Sequence, residues 1–179
     1  MLGRIFNNII RKKQARPLEN LMADQKTPRA SWLADGKEKE ILPGAFRQSV
    51  RIRHVDAGSC NACEWECTAL TNPVYDIQRF GVDFVASPRH ADILLVTGPV
   101  SAAMANALKK TWTATPGPKI VIACGDCARD GGIYKGSYAV TDGADKIVPV
   151  DAFIPGCPPK PSVIASNIVQ IVKALSKIK

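Results

Sequence analysis

From residue 50 onward, hydrophobic and polar positions follow two spacings that alternate along the chain. The segments with strand-like patterns are 50–56, 82–87, 91–98, 119–125 and a shorter one within 146–156. The segments with helical spacing are part of 63–80, 101–112 and the stretch that begins at Pro161. Strands that alternate with helices indicate an α/β fold. We predict an open, mainly parallel, flavodoxin-like sheet with helices on both faces.

Residues 1–47 follow a different pattern. Apolar residues recur at helical spacing near the start, at Leu2, Ile5, Phe6, Ile9 and Ile10, and three basic residues follow them. This predicts a short amphipathic helix with a basic end. Residues 16–47 are mostly polar and predict an extended arm. We therefore divide the chain into a basic amphipathic helix and partner-binding arm, 1–47, and an α/β domain, 48–179.

Positive charge is concentrated in the N-terminal part of the chain. The chain of 179 residues has a net charge of +8. Residues 1–53 hold 12 Lys/Arg against 5 Asp/Glu, whereas residues 54–179 hold 12 against 11. We expect the N-terminal helix to dock on membrane-embedded subunits or an anionic membrane surface, and packing on its own domain is the alternative. Few aromatic residues and no recognition motif accompany the basic arm, so we expect no nucleic-acid partner.

The chain has features of a cytoplasmic protein. No apolar run approaches the roughly 20 residues of a membrane span, and no secretory signal pattern begins the sequence. In the cytoplasm disulfides are rare, and clustered cysteines more often bind metal. The segment "GSCNACEWEC", residues 58–67, holds three of the six cysteines.

The predicted fold can bring these cysteines together. Cys60 and Cys63 follow the first strand of the domain, Cys124 and Cys127 follow the strand "KIVIA", and Cys157 follows the last strand. Ligands of open α/β sheets gather at the carboxyl ends of the strands. Thiols from three separate loops are therefore expected to meet at one edge.

Four thiolates around one centre bind zinc or an iron–sulfur cluster. The two CxxC pairs are separated by 60 residues, which is too many for a simple zinc ribbon. Loops rich in Gly and Pro surround the cysteines and favour a cluster, since its sulfides need small residues and backbone N–H groups nearby. A zinc-stabilised interaction domain, a thiol redox pair and buried structural cysteines are the alternatives.

Four motifs carry a family resemblance. In chain order they are "GSCNACEWE", "ASPRHADILLVTGPV", "GDCARDGGIY" and "DKIVPVDAFIPGCPP". Together they resemble the small-subunit family shared by [NiFe] hydrogenases and respiratory complex I, where the member is the B-type subunit of about 20 kDa. The CxxC spacing is similar to that of the membrane-bound, energy-converting (group 4) hydrogenases, whereas complex I subunits carry a tandem Cys-Cys. "CEWEC" departs from the CNGCDIE-like form common in that group.

The resemblance implies one [4Fe–4S] cluster, bound by Cys60, Cys63, Cys127 and Cys157. Cys67 and Cys124 fall outside the family pattern, and Cys124 is the alternative to Cys127.

By the same resemblance, the chain is a non-catalytic electron-relay subunit of an oxidoreductase. It passes electrons between ferredoxin-like subunits and the Ni–Fe large subunit, for H₂ evolution or oxidation, on the cytoplasmic face of the membrane. A role as the B-type component of a complex I-like quinone oxidoreductase is the alternative.

Two acidic residues follow the CxxC motif. Glu66 matches an acidic position of the family motif and is a candidate proton relay, with an interface ion pair or a surface acid as alternatives. Glu64 is expected to face elsewhere. Trp65, between them, is either an interface anchor or a core aromatic.

Overall fold

The computed structural model describes residues 31–32 and 49–177. The strands are β1 (Ser31–Trp32), β2 (Val50–Asp56), β3 (Val82–Phe84), β4 (Ile93–Thr97), β5 (Ile120–Cys124) and β6 (Ala152–Ile154). The helices are α1 (Ala62–Ala69), α2 (Ala102–Ala114), α3 (Asp126–Asp130) and α4 (Pro161–Lys177). Short 3₁₀ turns cover Ile77–Phe80, Pro88–His90, Gly132–Tyr134 and Ala144–Lys146.

The strands form one sheet in the order β1-β6-β5-β4-β2-β3. Every neighbouring pair from β2 to β6 is parallel, and β1 adds to the β6 edge in the antiparallel direction. Numbered in chain order, the five parallel strands stand in the order 2-1-3-4-5, which is the flavodoxin-like arrangement. The predicted fold class is confirmed.

Helices cover both faces of this sheet. Both β4 and β5 are buried at every position, as their continuous apolar runs predict. On one face, Leu95 of β4 shares a core with Leu70, which directly follows α1, and Ile168 of α4. On the other face, Leu94 packs in a second core with Leu108 of α2. Adjacent residues of one strand therefore serve opposite layers.

The ends of α1 and β3, which lie within the predicted segments 63–80 and 82–87, have local causes. α1 ends at Ala69 because Asn72 and Pro73 form a turn, in which Asn72 Oδ1 accepts hydrogen bonds from the N–H groups of Val74 and Tyr75 at 2.9 and 3.0 Å. β3 ends at Phe84, the last residue in register with β2.

In the structure, helices begin at the two positions that the sequence predicts. Ser101 caps α2 through its hydroxyl, which accepts a hydrogen bond from the N–H of Met104 at 3.3 Å. Pro161 opens α4. The predicted N-terminal amphipathic helix lies outside the described residues. Among those residues, no helix has both the length and the hydropathy of a membrane span.

Candidate metal centre

The four cysteines of the predicted ligand set lie at the carboxyl edge of the sheet. Cys60 is exposed in the loop after β2, and Cys63 lies in the first turn of α1 with 8% of its surface exposed. Cys127 lies in α3 and is also 8% exposed, and Cys157 is exposed in the loop after β6. Each thiol therefore comes from a loop or helix start that directly follows a parallel strand.

Backbone hydrogen bonds join the loop after β5 to the loop after β6. The N–H of Gly125 donates to the carbonyl of Ile154 at 2.8 Å, and the N–H of Asp126 donates to the carbonyl of Gly156 at 2.9 Å. In return, the Asp126 carboxylate accepts a hydrogen bond from the N–H of Gly156 at 3.1 Å. This reciprocal pairing holds the Cys127 and Cys157 segments together. Asp126 therefore links the two loops, a structural role that its position in the sequence did not reveal.

Glycine backbone lies close to each of the two buried sulfur atoms. A Cβ atom on Gly125 would lie 2.9 Å from Cys63 Sγ and 3.4 Å from the Gly156 carbonyl oxygen. Gly125 thus lies where the loops after β2, β5 and β6 meet. A Cβ atom on Gly132 would lie 3.0 Å from Cys127 Sγ. At each of these two sulfurs, a side chain in place of the glycine would collide with the thiol.

The thiols also interact electrostatically. Burial raises the pKa of Cys63 to about 12, and the nearby Glu64, Cys67, Cys127 and Cys60 add to this effect. Burial likewise raises the pKa of Cys127, and Cys157 and Cys60 raise it further, whereas a hydrogen bond from the backbone of Ile133 opposes the shift. The ionised forms of Cys63 and Cys127 are therefore disfavoured unless a positively charged group binds. Binding of a metal at these thiols is thus coupled to the loss of their protons.

Cys67 and Cys124 form a separate pair beneath this group. Cys124 is fully buried at the end of β5, and Cys67 is buried on α1. A hydrogen bond with Cys67, followed by burial, raises the pKa of Cys124 well above its ordinary value. Both residues belong to the apolar core between the sheet and α1. The structure therefore places Cys127, and not Cys124, beside Cys157.

The donor set fits an iron–sulfur cluster. In the described part of the chain, no three His, Cys, Asp or Glu side chains are arranged to hold a single metal ion. A four-iron cluster takes one thiolate at each iron, so its ligands stand farther apart than those of one ion. Four thiols from three loops, with glycine backbone close to two of them, supply the type and number of ligands that such a cluster takes.

The structure places Glu64, which was expected to face elsewhere, in a hydrogen-bonded network beside the CxxC loop. Only 14% of the Glu64 side chain is exposed, and Glu64 Oε2 accepts a hydrogen bond from Ser59 Oγ at 2.7 Å. Its Oε1 accepts one from Thr97 Oγ1 and lies 3.5 Å from His54 Nε2. Glu66 is half-buried on α1, and no hydrogen bond or ion pair joins its side chain to the described residues.

Helical periodicity does not separate the two glutamates. They lie at similar angles on the two sides of the buried stripe formed by Cys63 and Cys67. The sequence around Ser59 and Thr97 does not reveal that these residues contact Glu64, because the contact depends on how the loop after β2 folds over β4. The Glu64 network borders a surface cleft of about 510 Å³, lined by residues that include His54, Thr68 and Phe84.

Large apolar side chains are exposed on the segments that carry the thiols. Trp65 on α1 is 69% exposed, so the core alternative for this residue is wrong. Ile133 and Tyr138, in the segment after Cys127, are 77% and 101% exposed. Exposed apolar residues concentrated near a buried polar site are typical of a surface that binds another protein.

Known proteins that are similar to this chain are components of oxidoreductase complexes, and this defines the class of the protein. Residues 60–171 match the family described as NADH ubiquinone oxidoreductase, 20 Kd subunit. The chain belongs to this family, and the resemblance inferred from its motifs is confirmed.

Three relatives illustrate the range of the family. Formate hydrogenlyase subunit 7 of Escherichia coli is 50% identical over 69% of this chain and 49% of its own length. A probable membrane-bound hydrogenase subunit of Pyrococcus furiosus is 48% identical over 71% of this chain and 76% of its own. The B-type subunit of the NADH-quinone oxidoreductase of Desulfovibrio desulfuricans is 40% identical over 66% and 63%. The matched region thus spans about half of the first relative.

Two solved structures share the fold of this chain. A chain of the membrane-bound sulfane sulfur reductase, an archaeal respiratory membrane complex, matches with a TM-score of 0.65 and 32% identity, over 75% of each chain. A chain of an NAD⁺-reducing [NiFe]-hydrogenase matches with a TM-score of 0.55 and 20% identity, over 70% of this chain and 92% of that one, and shares the fold.

Proposed function

We propose that this chain is the electron-transfer subunit of a membrane-associated [NiFe] hydrogenase complex and holds one [4Fe–4S] cluster. The proposed ligands are Cys60, Cys63, Cys127 and Cys157. The observation that carries the proposal is the meeting of three loops at Gly125, which brings thiols distant in sequence to one edge of the sheet. When bound, such a cluster supplies one-electron transfer.

The chain's own residues shape the environment of this site. Burial of Cys63 and Cys127 excludes water from one side, and the backbone of Ile133 contributes a hydrogen bond to the Cys127 sulfur. Hydrogen bonds to ligand sulfurs and the degree of burial tune cluster potentials. Cys60 and Cys157 are exposed, so the remaining side faces outward.

The outward side is proposed to contact the Ni–Fe large subunit. Trp65, Ile133 and Tyr138 are exposed on the segments that carry the thiols, and aromatic residues are enriched at protein interfaces. Contact there would bury the exposed thiols of Cys60 and Cys157. A ferredoxin-like subunit is the proposed electron donor, and residues 1–13 are proposed to attach the chain to membrane-embedded subunits on the cytoplasmic face.

A hydrogenase role is favoured over a quinone oxidoreductase role by two observations. Identity to the two hydrogenase subunits, 50% and 48%, exceeds the 40% identity to the B-type subunit of the quinone oxidoreductase. The CxxC spacing of Cys60 and Cys63 also differs from a tandem Cys-Cys. The quinone role remains the second candidate because the family includes such subunits.

Anaerobic purification of the full chain tests the cofactor. We expect about four irons and matching acid-labile sulfide per chain, with a paramagnetic signal after reduction. A colourless chain that contains one zinc ion would instead support the zinc-stabilised interaction domain.

Purification of the native complex through this chain tests the function. We expect a co-purifying large subunit with two CxxC nickel motifs, and H₂-dependent reduction of a viologen dye. A complex that reduces quinone and has no nickel would overturn the hydrogenase assignment.

A further inference from the structure

We propose that Glu64 is a positioning residue that fixes the loop carrying Cys60 and Cys63. The inference rests on the proposed cluster for its functional consequence, but not for its geometry. It assigns a defined role to a residue that was expected from the sequence to face elsewhere.

One carboxylate oxygen of Glu64 holds the loop around Cys60. Ser59 Oγ donates to Glu64 Oε2 at 2.7 Å and accepts a hydrogen bond from the N–H of Asn61 at 3.0 Å. Asp56 Oδ1 fixes the beginning of the same loop, since it accepts from the N–H groups of Gly58 and Ser59 at 2.9 and 2.8 Å. Residues on both sides of Cys60 are thus tied to Glu64 or to the end of β2.

The other carboxylate oxygen anchors α1 to the sheet. Thr97 is fully buried at the end of β4, and its hydroxyl donates to Glu64 Oε1. His54 Nε2 lies 2.9 Å from the same hydroxyl oxygen. Burial lowers the pKa of His54, so the neutral ring donates Nε2–H to Thr97 in the tautomer that this partner assigns. The hydrogen bonds thus form a chain, in which His54 donates to Thr97 and Thr97 donates to one carboxylate oxygen of Glu64.

This anchor acts at the start of α1, where the helix has no side-chain cap. α1 has eight residues, and its N-cap, Asn61, has φ 70° and makes no side-chain capping bond. A helix this short depends on tertiary contacts for its stability. Glu64 directly follows Cys63, so its two-sided attachment sets how the Cys63 thiol faces the loops after β5 and β6.

Residues that hold metal ligands in position typically contribute about 10–100-fold to metal affinity or activity. We therefore expect Glu64→Ala and Thr97→Val to accelerate iron loss to a ferrous chelator by about 10–100-fold. We also expect both variants to change the electron paramagnetic resonance spectrum of the reduced cluster. Thr97→Val keeps the volume and removes the hydroxyl, and Thr97→Ser restores the hydroxyl.

Glu66→Ala is the matched control, because it removes the same charge from the same helix without removing a hydrogen bond among the described residues. Glu66→Ala and Thr97→Ser should keep the wild-type spectrum and chelation rate. Wild-type behaviour of both Glu64→Ala and Thr97→Val would overturn the inference. So would an equal effect of Glu66→Ala, because charge alone would then explain the result.

Amide hydrogen exchange of the metal-free full chain separates this inference from the proposed function. Glu64→Ala should increase exchange in residues 59–65, and Glu66→Ala should not. Unchanged exchange in Glu64→Ala refutes the positioning role, whether or not a cluster binds. Increased exchange in a chain that binds no iron would uphold the positioning role while the proposed function fails. If Glu64→Ala does not fold, Thr97→Val gives the same comparison against Thr97→Ser.

Discussion

Substitution of Gly125 by Ala tests whether the three loops meet as the structure shows. Gly125 has φ 89° and ψ 157°, a conformation that is essentially restricted to glycine. Holding another residue there costs about 1–3 kcal/mol. The new Cβ atom would also lie 2.9 Å from Cys63 Sγ, and overpacking of this kind typically costs about another 1–3 kcal/mol. The expected loss in the free energy of unfolding is therefore about 2–6 kcal/mol.

Thermal unfolding of the metal-free chain, followed by circular dichroism, measures this loss. For a domain of this size each kcal/mol lowers Tm by about 2–4 °C. Iron content after anaerobic reconstitution measures the second consequence, because displacement of Cys63 should reduce cluster occupancy.

Gly136→Ala supplies the matched control. Gly136 has φ +77°, but a Cβ atom there would meet nothing within 4 Å. This variant should lose only the backbone contribution, about 1–2 kcal/mol, and should bind iron normally. If Gly125→Ala matched Gly136→Ala in both stability and iron content, the close approach of Gly125 to Cys63 would be refuted.

Three further predictions use other parts of the chain. Cys127→Ala should lose the cluster and Cys124→Ala should keep it, as iron analysis will show; the opposite result would exchange their roles. Deletion of residues 1–13 should release the chain from membranes in a fractionation assay while iron content stays unchanged, and continued membrane association would contradict the anchor. Because burial raises the pKa of Cys63 from 9.0 to about 12, the unfolded metal-free chain loses this proton first. The free energy of unfolding of the metal-free chain should therefore fall as pH rises from about 9 to 12, and it should fall by less in Cys63→Ser. An equal fall in both chains would contradict the raised pKa of Cys63.

The sequence was informative where one local property decides the structure. Continuous apolar runs predicted β4 and β5, and both strands are buried at every position. Pro161 and Ser101 marked helix starts through backbone and capping chemistry that depends on near neighbours only. The family motifs could also be recognised from the sequence alone, because each is a contiguous stretch of residues.

Strand ends were less predictable. The apolar run 82–87 predicted a longer strand than β3, which stops at Phe84. The ladder with β2 ends at that point, and an apolar pattern does not record where a partner strand stops.

By itself, the sequence determined the fold class, the order of the loops and the presence of cysteines at the strand ends, because burial periodicity and strand order are carried by residue types. Tertiary structure decided which thiol of Cys124 and Cys127 stands beside Cys157, and which of Glu64 and Glu66 is hydrogen-bonded to other described residues. Both choices depend on contacts between segments far apart in the chain. Residues at similar angles on one helix have similar patterns, and only the packing of the neighbouring loops gives them different partners.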